Sequence, residues 1–251
     1  MSWFAEQHAV VTGGGSGIGA AIAQAMSEAG TRVTLMGRNP GKLKAKAAEL
    51  GTDFQVADVT ERDQVATVFA AAAKQNGTVT ILVNNAGAAE AAPFGKMDDE
   101  LWDRLIAVNL TGVYNCTKAA ITAMAEAGLG RIVNIASTAG LTGYAYVSAY
   151  CAAKHGVVGL TKALALEYAK KGVTVNAVCP GYTNTEIIGQ SIDKIVAATG
   201  RSRDEALAEM VKVNPQQRLI EPQEVAATVM WICQQESITG QSIAVAGGEV
   251  M

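Results

Sequence analysis

The sequence predicts an α/β protein with one doubly wound parallel sheet of about seven strands, covered by helices on both faces. Apolar stretches of strand length alternate with amphipathic stretches of helical spacing along all 251 residues. This alternation is typical of parallel sheets that are built from strand–helix–strand units. A glycine-rich turn follows the first strand directly, at the place where such sheets bind phosphate groups. Because no linker, repeat or low-complexity tract interrupts the pattern, residues 1–251 are predicted to form a single domain.

Composition and charge argue against several classes of function. Hydrophobic residues make up 49% of the chain and charged residues 17%, so a large core is available. The net charge of −3 and the lack of a basic block argue against a nucleic-acid partner. We expect no signal peptide and no membrane span, since no apolar run approaches the ~20 residues that cross a bilayer. The four cysteines form no C-x-x-C pair, which favours a reducing cytoplasm over a disulfide scaffold or a metal site.

The first strand, His8–Thr12, leads into the glycine-rich turn and then into a helix that Gly30 is predicted to close. The free N–H groups and the dipole of a helix N-terminus favour the binding of a pyrophosphate at such a turn. The glycine spacing departs from the G-x-G-x-x-G pattern, because Ile18 stands where the third glycine would be. A plain flexible loop is therefore the alternative.

The second strand, Arg32–Gly37, ends where an acidic residue would bind the ribose 2′-hydroxyl of NAD. Arg38 stands at this place instead, and it could pair with a 2′-phosphate, which favours NADP(H) over NAD(H). The alternative is a solvated loop arginine. Asn39 and Pro40 are predicted to open the next helix as its N-cap and its first residue.

The remaining strands are predicted over residues 53–57, 80–83, 131–135, 173–178 and Ser242–Val245. Helices are predicted from an N-cap at Thr60 to Asn76, over residues 98–126 with Asn109 near the middle, over residues 148–170, and from Glu221 to Gln234. Residues 183–214 form a segment longer than an ordinary loop, and we predict that this segment is a substrate lid.

Tyr150 and Lys154 are four residues apart in a predicted helix, so their side chains share one face. A phenol with its usual pKa of about 10 is a poor acid or base at neutral pH, but a neighbouring ammonium lowers this pKa. Taken alone, such a pair is far more often a half-buried tyrosine beside a solvated lysine. The glycine-rich turn, the turn Asn84-Asn85-Ala86-Gly87 and Ser137 beyond a strand end favour catalysis instead.

Together these motifs resemble the short-chain dehydrogenase/reductase family over essentially the full length of the chain. The motifs that carry the resemblance are T-G-x-x-x-G-x-G at residues 12–19, Asn84-Asn85-Ala86-Gly87, Asn109, Ser137, Tyr150-x-x-x-Lys154 and Pro180-Gly181. The resemblance implies a Rossmann-type sheet, a nicotinamide cofactor and a homotetramer.

The resemblance also implies a role for individual residues. Tyr150 would donate a proton to a carbonyl or accept one from an alcohol, and Ser137 would hydrogen-bond the substrate oxygen. Lys154 would hold the nicotinamide ribose and lower the pKa of the tyrosine, and Asn109 would anchor a water of a proton relay. Asp58 would contact the adenine. The positions implied to contact the cofactor are Gly13, Ser16, Gly17, Ile18, Gly19, Arg38, Asp58, Val59, Asn85, Ala86, Gly87, Tyr150, Lys154, Pro180, Gly181 and Thr183.

Within the family, the chain resembles the acyl-thioester and polyketide ketoreductases, notably over residues 131–140. The segment between Gly181 and Arg218 resembles that of the ketoreductases in its length. The same segment is also similar to the lid of 3-hydroxybutyrate dehydrogenases, which hold a free carboxylate with polar and basic side chains. The matching positions here are Ala88, Ala139 and Val147, where an unpaired carboxylate would suffer a large desolvation penalty.

We therefore expect the reduction of a 3-oxoacyl thioester, or of a related β-keto compound, to the 3-hydroxy product. One alternative is a dehydrogenase for another secondary alcohol or ketone, either 3-hydroxybutyrate-like, aromatic or cyclic. A more distant alternative is a dinucleotide-binding regulator without catalytic activity.

Overall fold

The computed structural model describes residues 2–250, which form a seven-stranded parallel sheet with helices on both faces. The strands are β1 His8–Thr12, β2 Arg32–Gly37, β3 Asp53–Val56, β4 Ile81–Asn84, β5 Gly130–Ile135, β6 Val173–Pro180 and β7 Ser242–Val245. They lie in the order β3-β2-β1-β4-β5-β6-β7, and each strand is parallel to its neighbours. The predicted fold class is confirmed.

The helices are α1 Gly17–Glu28, α2 Pro40–Leu50, α3 Arg62–Asn76, α4 Asp99–Ile106, α5 Gly112–Ala127, α6 Ser148–Tyr168, α7 Glu186–Thr199, α8 Arg203–Val211 and α9 Pro222–Cys233. Asn39 caps α2 as predicted, since its side chain accepts a hydrogen bond from the Lys42 N–H at 3.0 Å. No helix in the part of the chain described here is long and apolar enough to cross a membrane.

The core lies in two layers, one on each face of the sheet. Ala9 and Val11 of β1 pack toward α1 and α9, whereas Val10 packs toward α3 and α5. All three side chains are fully buried. Because both faces are covered, the strands are continuously apolar, and full burial of a valine stabilises the fold by about 1.5–3 kcal/mol.

The strand order reverses between β1 and β4, which are neighbours although β2 and β3 lie between them in the chain. At such a point the connections leave in opposite directions, so a crevice opens beyond the carboxyl ends of the strands. The glycine-rich turn follows β1 there, residues 85–87 follow β4, and Ser137 follows β5. The topology therefore brings the predicted motifs to one edge of the sheet.

Two predicted helix ends are corrected by local hydrogen bonds. Glu61, and not Thr60, is the N-cap of α3, because Thr60 is held in the preceding turn by two hydrogen bonds to Asp58 Oδ1 at 2.9 and 2.8 Å. At the end of α1 the C-cap is Ala29. Gly30 comes one residue later, with a φ of +91° that favours glycine.

The helix predicted over residues 98–126 is interrupted by a π-helical turn, Ala107–Thr111, between α4 and α5. Asn109 lies in this turn, and its Nδ2 donates a hydrogen bond to the Leu105 carbonyl at 2.9 Å. The wide turn changes the direction of the Asn109 side chain, and helical periodicity alone does not predict such a turn.

Residues 183–214 contain two helices, α7 and α8, rather than a loop. The helix α8 begins with a capping box, in which Ser202 and Glu205 hydrogen-bond each other's backbone N–H groups. The sequence predicted the length and polarity of this segment but not its helices.

Candidate active site

The glycine-rich turn and the residues after β4 form one closely packed unit. The Asn85 Nδ2 donates to the carbonyls of Thr12 at 2.9 Å and Gly13 at 3.3 Å. A Cβ at Gly13 would lie 2.7 Å from this amide nitrogen, and a Cβ at Gly19 would overlap with it and with the Gly13 carbonyl. Only glycine fits at these two positions, so the backbone stays open for a ligand to approach.

The N-terminus of α1 faces the same space. Ser16 precedes α1 but makes no capping hydrogen bond with its side chain, which leaves the first N–H groups of the helix available to an anion. Ser16, Gly17 and Ile18 line the cavity. The bare glycine turn and this helix end fit the diphosphate of a dinucleotide.

Arg38 and Asp58 lie outside the cavity, beyond the ends of β2 and β3. The guanidinium of Arg38 is 3.5 Å from the Asp58 carboxylate, and its side chain is 71% exposed. Burial alone would raise the pKa of Asp58, but the hydrogen bonds from Thr60 and the charge of Arg38 outweigh it and lower the pKa. Val59, which follows Asp58, is buried against Gly112.

Ser137, Tyr150 and Lys154 meet at the carboxyl end of β5, where the first turns of α6 pass Ser137. The Ser137 hydroxyl accepts a hydrogen bond from the Ala139 N–H at 3.1 Å, which fixes its side chain at the strand end. The Lys154 Nζ lies 5.6 Å from the centre of the Tyr150 ring, on the same face of α6 as predicted.

The pKa of Tyr150 differs from the sequence-based expectation. Burial raises the pKa of the phenol, although the nearby Ser137 hydroxyl acts in the opposite direction. Lys154 is only 4% exposed. Its Nζ donates to the Ile135 carbonyl at 2.8 Å. The net shift of the Tyr150 pKa is therefore upward, because desolvation of the phenol outweighs its hydrogen bond with Ser137.

Asn109 connects the π-helical turn to the segment after β4. Its Nδ2 donates to the Ala88 carbonyl at 2.8 Å, and its Oδ1 accepts from the Ala88 N–H at 3.2 Å. A Cβ at Gly87 would lie 2.8 Å from the Asn109 Oδ1 and 3.8 Å from the Lys154 Nζ. Asn109 and Lys154 thus approach each other across this glycine.

A cavity of about 640 Å³ lies between these groups and α7. The predicted site residues that line it are Gly13, Ser16, Gly17, Ile18, Asn85, Ala86, Gly87, Asn109, Ser137, Tyr150, Lys154, Pro180, Gly181 and Thr183. Of the other predicted positions, Gly19 packs against Asn85 and Gly13 beneath the glycine-rich turn. Arg38, Asp58 and Val59 are not among the residues that line the cavity.

The residues that line the cavity and were not identified from the sequence include Tyr144, Tyr182 and Glu249. Glu249 comes soon after the end of β7, so the rule that ligands bind beyond the carboxyl ends of parallel strands could have indicated it. Tyr144 and Tyr182 lie in irregular segments before α6 and after β6, where no periodic pattern marks them.

A model of the short chain dehydrogenase family matches residues 7–215. This chain belongs to that family. It is 38% identical over 250 residues to the D-beta-hydroxybutyrate dehydrogenase of Rhizobium meliloti, covering 96% of this chain and 97% of the relative. It is 41% identical over 244 residues to the acetoacetyl-CoA reductase of the same species, covering 96% and 97%.

Among solved structures, the short-chain dehydrogenase described here is similar to a substituted actinorhodin polyketide ketoreductase that was solved with NADPH. The TM-score is 0.94 at 38% identity, and the match covers 99% of both chains. The family membership confirms the resemblance that the sequence motifs indicated. The protein is an oxidoreductase, so the alternative of a regulator without catalytic activity is set aside.

Proposed function

We propose that this short-chain dehydrogenase uses NADP(H) to reduce a 3-oxoacyl thioester, or a related β-keto compound, to the 3-hydroxy product. The observation that carries the proposal is the make-up of the cavity, where Ser137, Tyr150 and Lys154 lie beside the glycine turn. Lys154 is the only cationic side chain among the described residues that line it. An acetoacetyl-CoA reductase and a polyketide ketoreductase among the similar proteins support the proposal.

The bound nicotinamide would supply the hydride that the carbonyl carbon accepts. Tyr150 would donate its phenolic proton to the carbonyl oxygen, and the Ser137 hydroxyl would donate a hydrogen bond to the same oxygen. Burial lowers the pKa of Lys154 to about 8, so this group still carries its proton in most molecules at neutral pH. The charge of Lys154 would stabilise the phenolate that Tyr150 becomes when it has donated its proton. Asn109 would anchor the water that returns a proton to Tyr150.

The walls of the cavity support a substrate without a negative charge. Ala88, Ala139 and Val147 line it at the positions where a free carboxylate would need a partner. Ile187, Ile188 and Ile195 of α7 also line it, and their apolar surface suits an acyl chain. Burying an unpaired carboxylate among such groups is unfavourable, whereas a thioester carries no charge.

Arg38 supports the choice of NADP(H). Its exposed guanidinium stands beyond the end of β2 and is paired with Asp58, and a guanidinium binds phosphate with charge-assisted hydrogen bonds. Residues 183–214 would act as the substrate lid, since α7 covers one side of the cavity.

The protein would act as a homotetramer in the cytoplasm. Leu166 of α6 is 85% exposed and Tyr114 of α5 is 41% exposed. Large apolar side chains on neighbouring helices are typical of surfaces that pair subunits. All four cysteines are free, which supports a reducing compartment. Light scattering is expected to give the mass of four chains, and a stable monomer at micromolar concentration would contradict the tetramer.

The reduction is tested by comparing kcat/KM with NADPH for acetoacetyl-CoA, free acetoacetate and an aromatic ketone. The near-ultraviolet absorbance of the reduced cofactor reports turnover, and the Tyr150→Phe variant gives the background. We expect acetoacetyl-CoA to be the best of the three substrates. If free acetoacetate matches or exceeds the thioester, the proposed substrate is wrong.

A further inference from the structure

The last residues of the described chain place a carboxylate inside the cavity. The Oε1 of Glu249 accepts hydrogen bonds from the hydroxyls of Tyr144 and Thr138, the latter at 3.4 Å. The Oε2 is buried and has no hydrogen-bond partner among residues 2–250. Buried acceptors without a partner are exceptions in folded proteins, so this oxygen requires an explanation.

Glycines on both sides make the space that Glu249 occupies. A Cβ at Gly181 would lie 2.6 Å from the Glu249 Oε2, so any other residue there would displace the carboxylate. Gly247 and Gly248 have φ angles of +61° and +92°, which favour glycine. They turn the chain back toward the cavity after β7. Asn214 packs closely against Gly247 and thereby holds the turn.

Within the described residues, the carboxylate of Glu249 has no ion-pair partner. None of the ion pairs formed within residues 2–250 includes Glu249. Lys154, the cation of the cavity wall, forms none of these ion pairs, and its Nζ donates a hydrogen bond to the Ile135 carbonyl. The second carboxylate that lines the cavity, Glu186, differs in this respect, because it is exposed and paired with Lys42.

Two tyrosines in the cavity wall respond to this charge. Burial raises the pKa of Tyr144, and the hydrogen bond to Glu249 raises it further. Burial followed by the Glu249 charge also raises the pKa of Tyr182. Both phenols line the cavity together with Tyr150, so the negative potential of Glu249 reaches the space where a substrate would bind.

We infer that Glu249 selects the substrate by its charge. The carboxylate of Glu249, which has no ion-pair partner among residues 2–250, excludes β-keto acids from the cavity and admits neutral β-keto compounds. This inference rests on the proposed function, since it concerns the same reduction at the same site. A substrate carboxylate beside the keto group would meet the like charge of Glu249, and Lys154 is the one cation of the described cavity wall. At the effective dielectric of a half-open pocket, a like charge several Å away disfavours binding by about tenfold or more.

The test uses two substrates that differ in one charge, acetoacetate and its methyl ester, with the wild type and the Glu249→Gln variant. Glutamine keeps the shape of the side chain and an oxygen that accepts the hydrogen bond from Tyr144. We expect the ratio of kcat/KM for acid over ester to rise about tenfold or more in this variant. The Glu186→Gln variant is the matched control and should leave the ratio at its wild-type value.

Turnover of the methyl ester shows that each variant is folded. If Glu249→Gln does not turn over the ester, Glu249→Ala replaces it with the same expected rise. An unchanged ratio in an active Glu249 variant overturns the inference, as does an equal rise in Glu186→Gln. Failure of the wild type to reduce both the methyl ester and acetoacetyl-CoA would overturn the proposed function instead.

Discussion

Replacing Arg38 with alanine should separate the two forms of the cofactor. Arg38 forms an ion pair to Asp58 at 3.5 Å, and 71% of its side chain is exposed. The adenosine ribose of NADP(H) carries a 2′-phosphate, and that of NAD(H) carries a hydroxyl. We therefore expect Arg38→Ala to weaken the use of NADPH and to leave the use of NADH unchanged.

The size of the effect follows from the two partners that compete for Arg38. An exposed ion pair such as Arg38–Asp58 contributes at most about 1 kcal/mol, so its loss should hardly change the stability of the protein. A hydrogen bond to a charged phosphate contributes about 1.5–3 kcal/mol. Arg38 therefore binds the phosphate in preference to Asp58. Loss of the hydrogen bond to the phosphate should lower kcat/KM for NADPH by about 10- to 150-fold.

The assay measures kcat/KM for NADPH and for NADH with a saturating ketone, in the wild type and in Arg38→Ala. Arg32→Ala is the matched control, because Arg32 lies at the opposite end of β2, where its guanidinium donates to the Glu6 carbonyl. This control should leave both constants unchanged. An equal loss for NADPH and NADH in Arg38→Ala, or a wild type that prefers NADH, would refute the assignment of Arg38 to the 2′-phosphate.

Three further predictions concern the residues of the cavity. Tyr150→Phe should lower kcat by about 10²- to 10⁴-fold, because the transferable proton is lost. NADPH fluorescence should show retained cofactor binding, and near-normal turnover would rule out Tyr150 as the acid. Gly19→Ala should displace Asn85 and destroy NADPH binding. Gly159→Ala, which has open space around its Cβ, is the control and should bind NADPH normally. Equal NADPH affinity in both variants would contradict the role of the glycine-rich turn in cofactor binding. Burial lowers the pKa of Lys154 from 10.5 to about 8. At pH values between these two, the unfolded chain therefore binds more protons than the folded one, and the stability that Lys154 contributes rises with pH. Lys154→Met lacks this rise, so its free energy of unfolding minus that of the wild type should fall by about 1 kcal/mol from about pH 7 to about pH 9. If urea denaturation gives a constant difference, the ammonium is not desolvated.

The order of the seven strands and of most helices could be predicted from the sequence, because it depends on local patterns. Apolar strands and helical spacing have different periods, and glycine, proline and asparagine mark the turns between them. The same locality placed Tyr150 and Lys154 on one face of α6. The parallel sheet then followed from the alternation of elements, and with it the edge of the sheet at which Ser137 and the glycine turn lie.

Only the tertiary structure decided how these groups interact. The sequence could not show that Glu249, near the end of the chain, meets Tyr144 and Gly181 in the cavity, since that contact depends on how β7 packs beside β6. Helical periodicity missed the π-helical turn because the hydrogen bonds of Asn109 to Ala88 form across separate elements. The direction in which the pKa of Tyr150 shifts depends on the tertiary structure for a related reason: spacing places Lys154 near the phenol, but the desolvation that raises the pKa depends on all the groups packed around Tyr150.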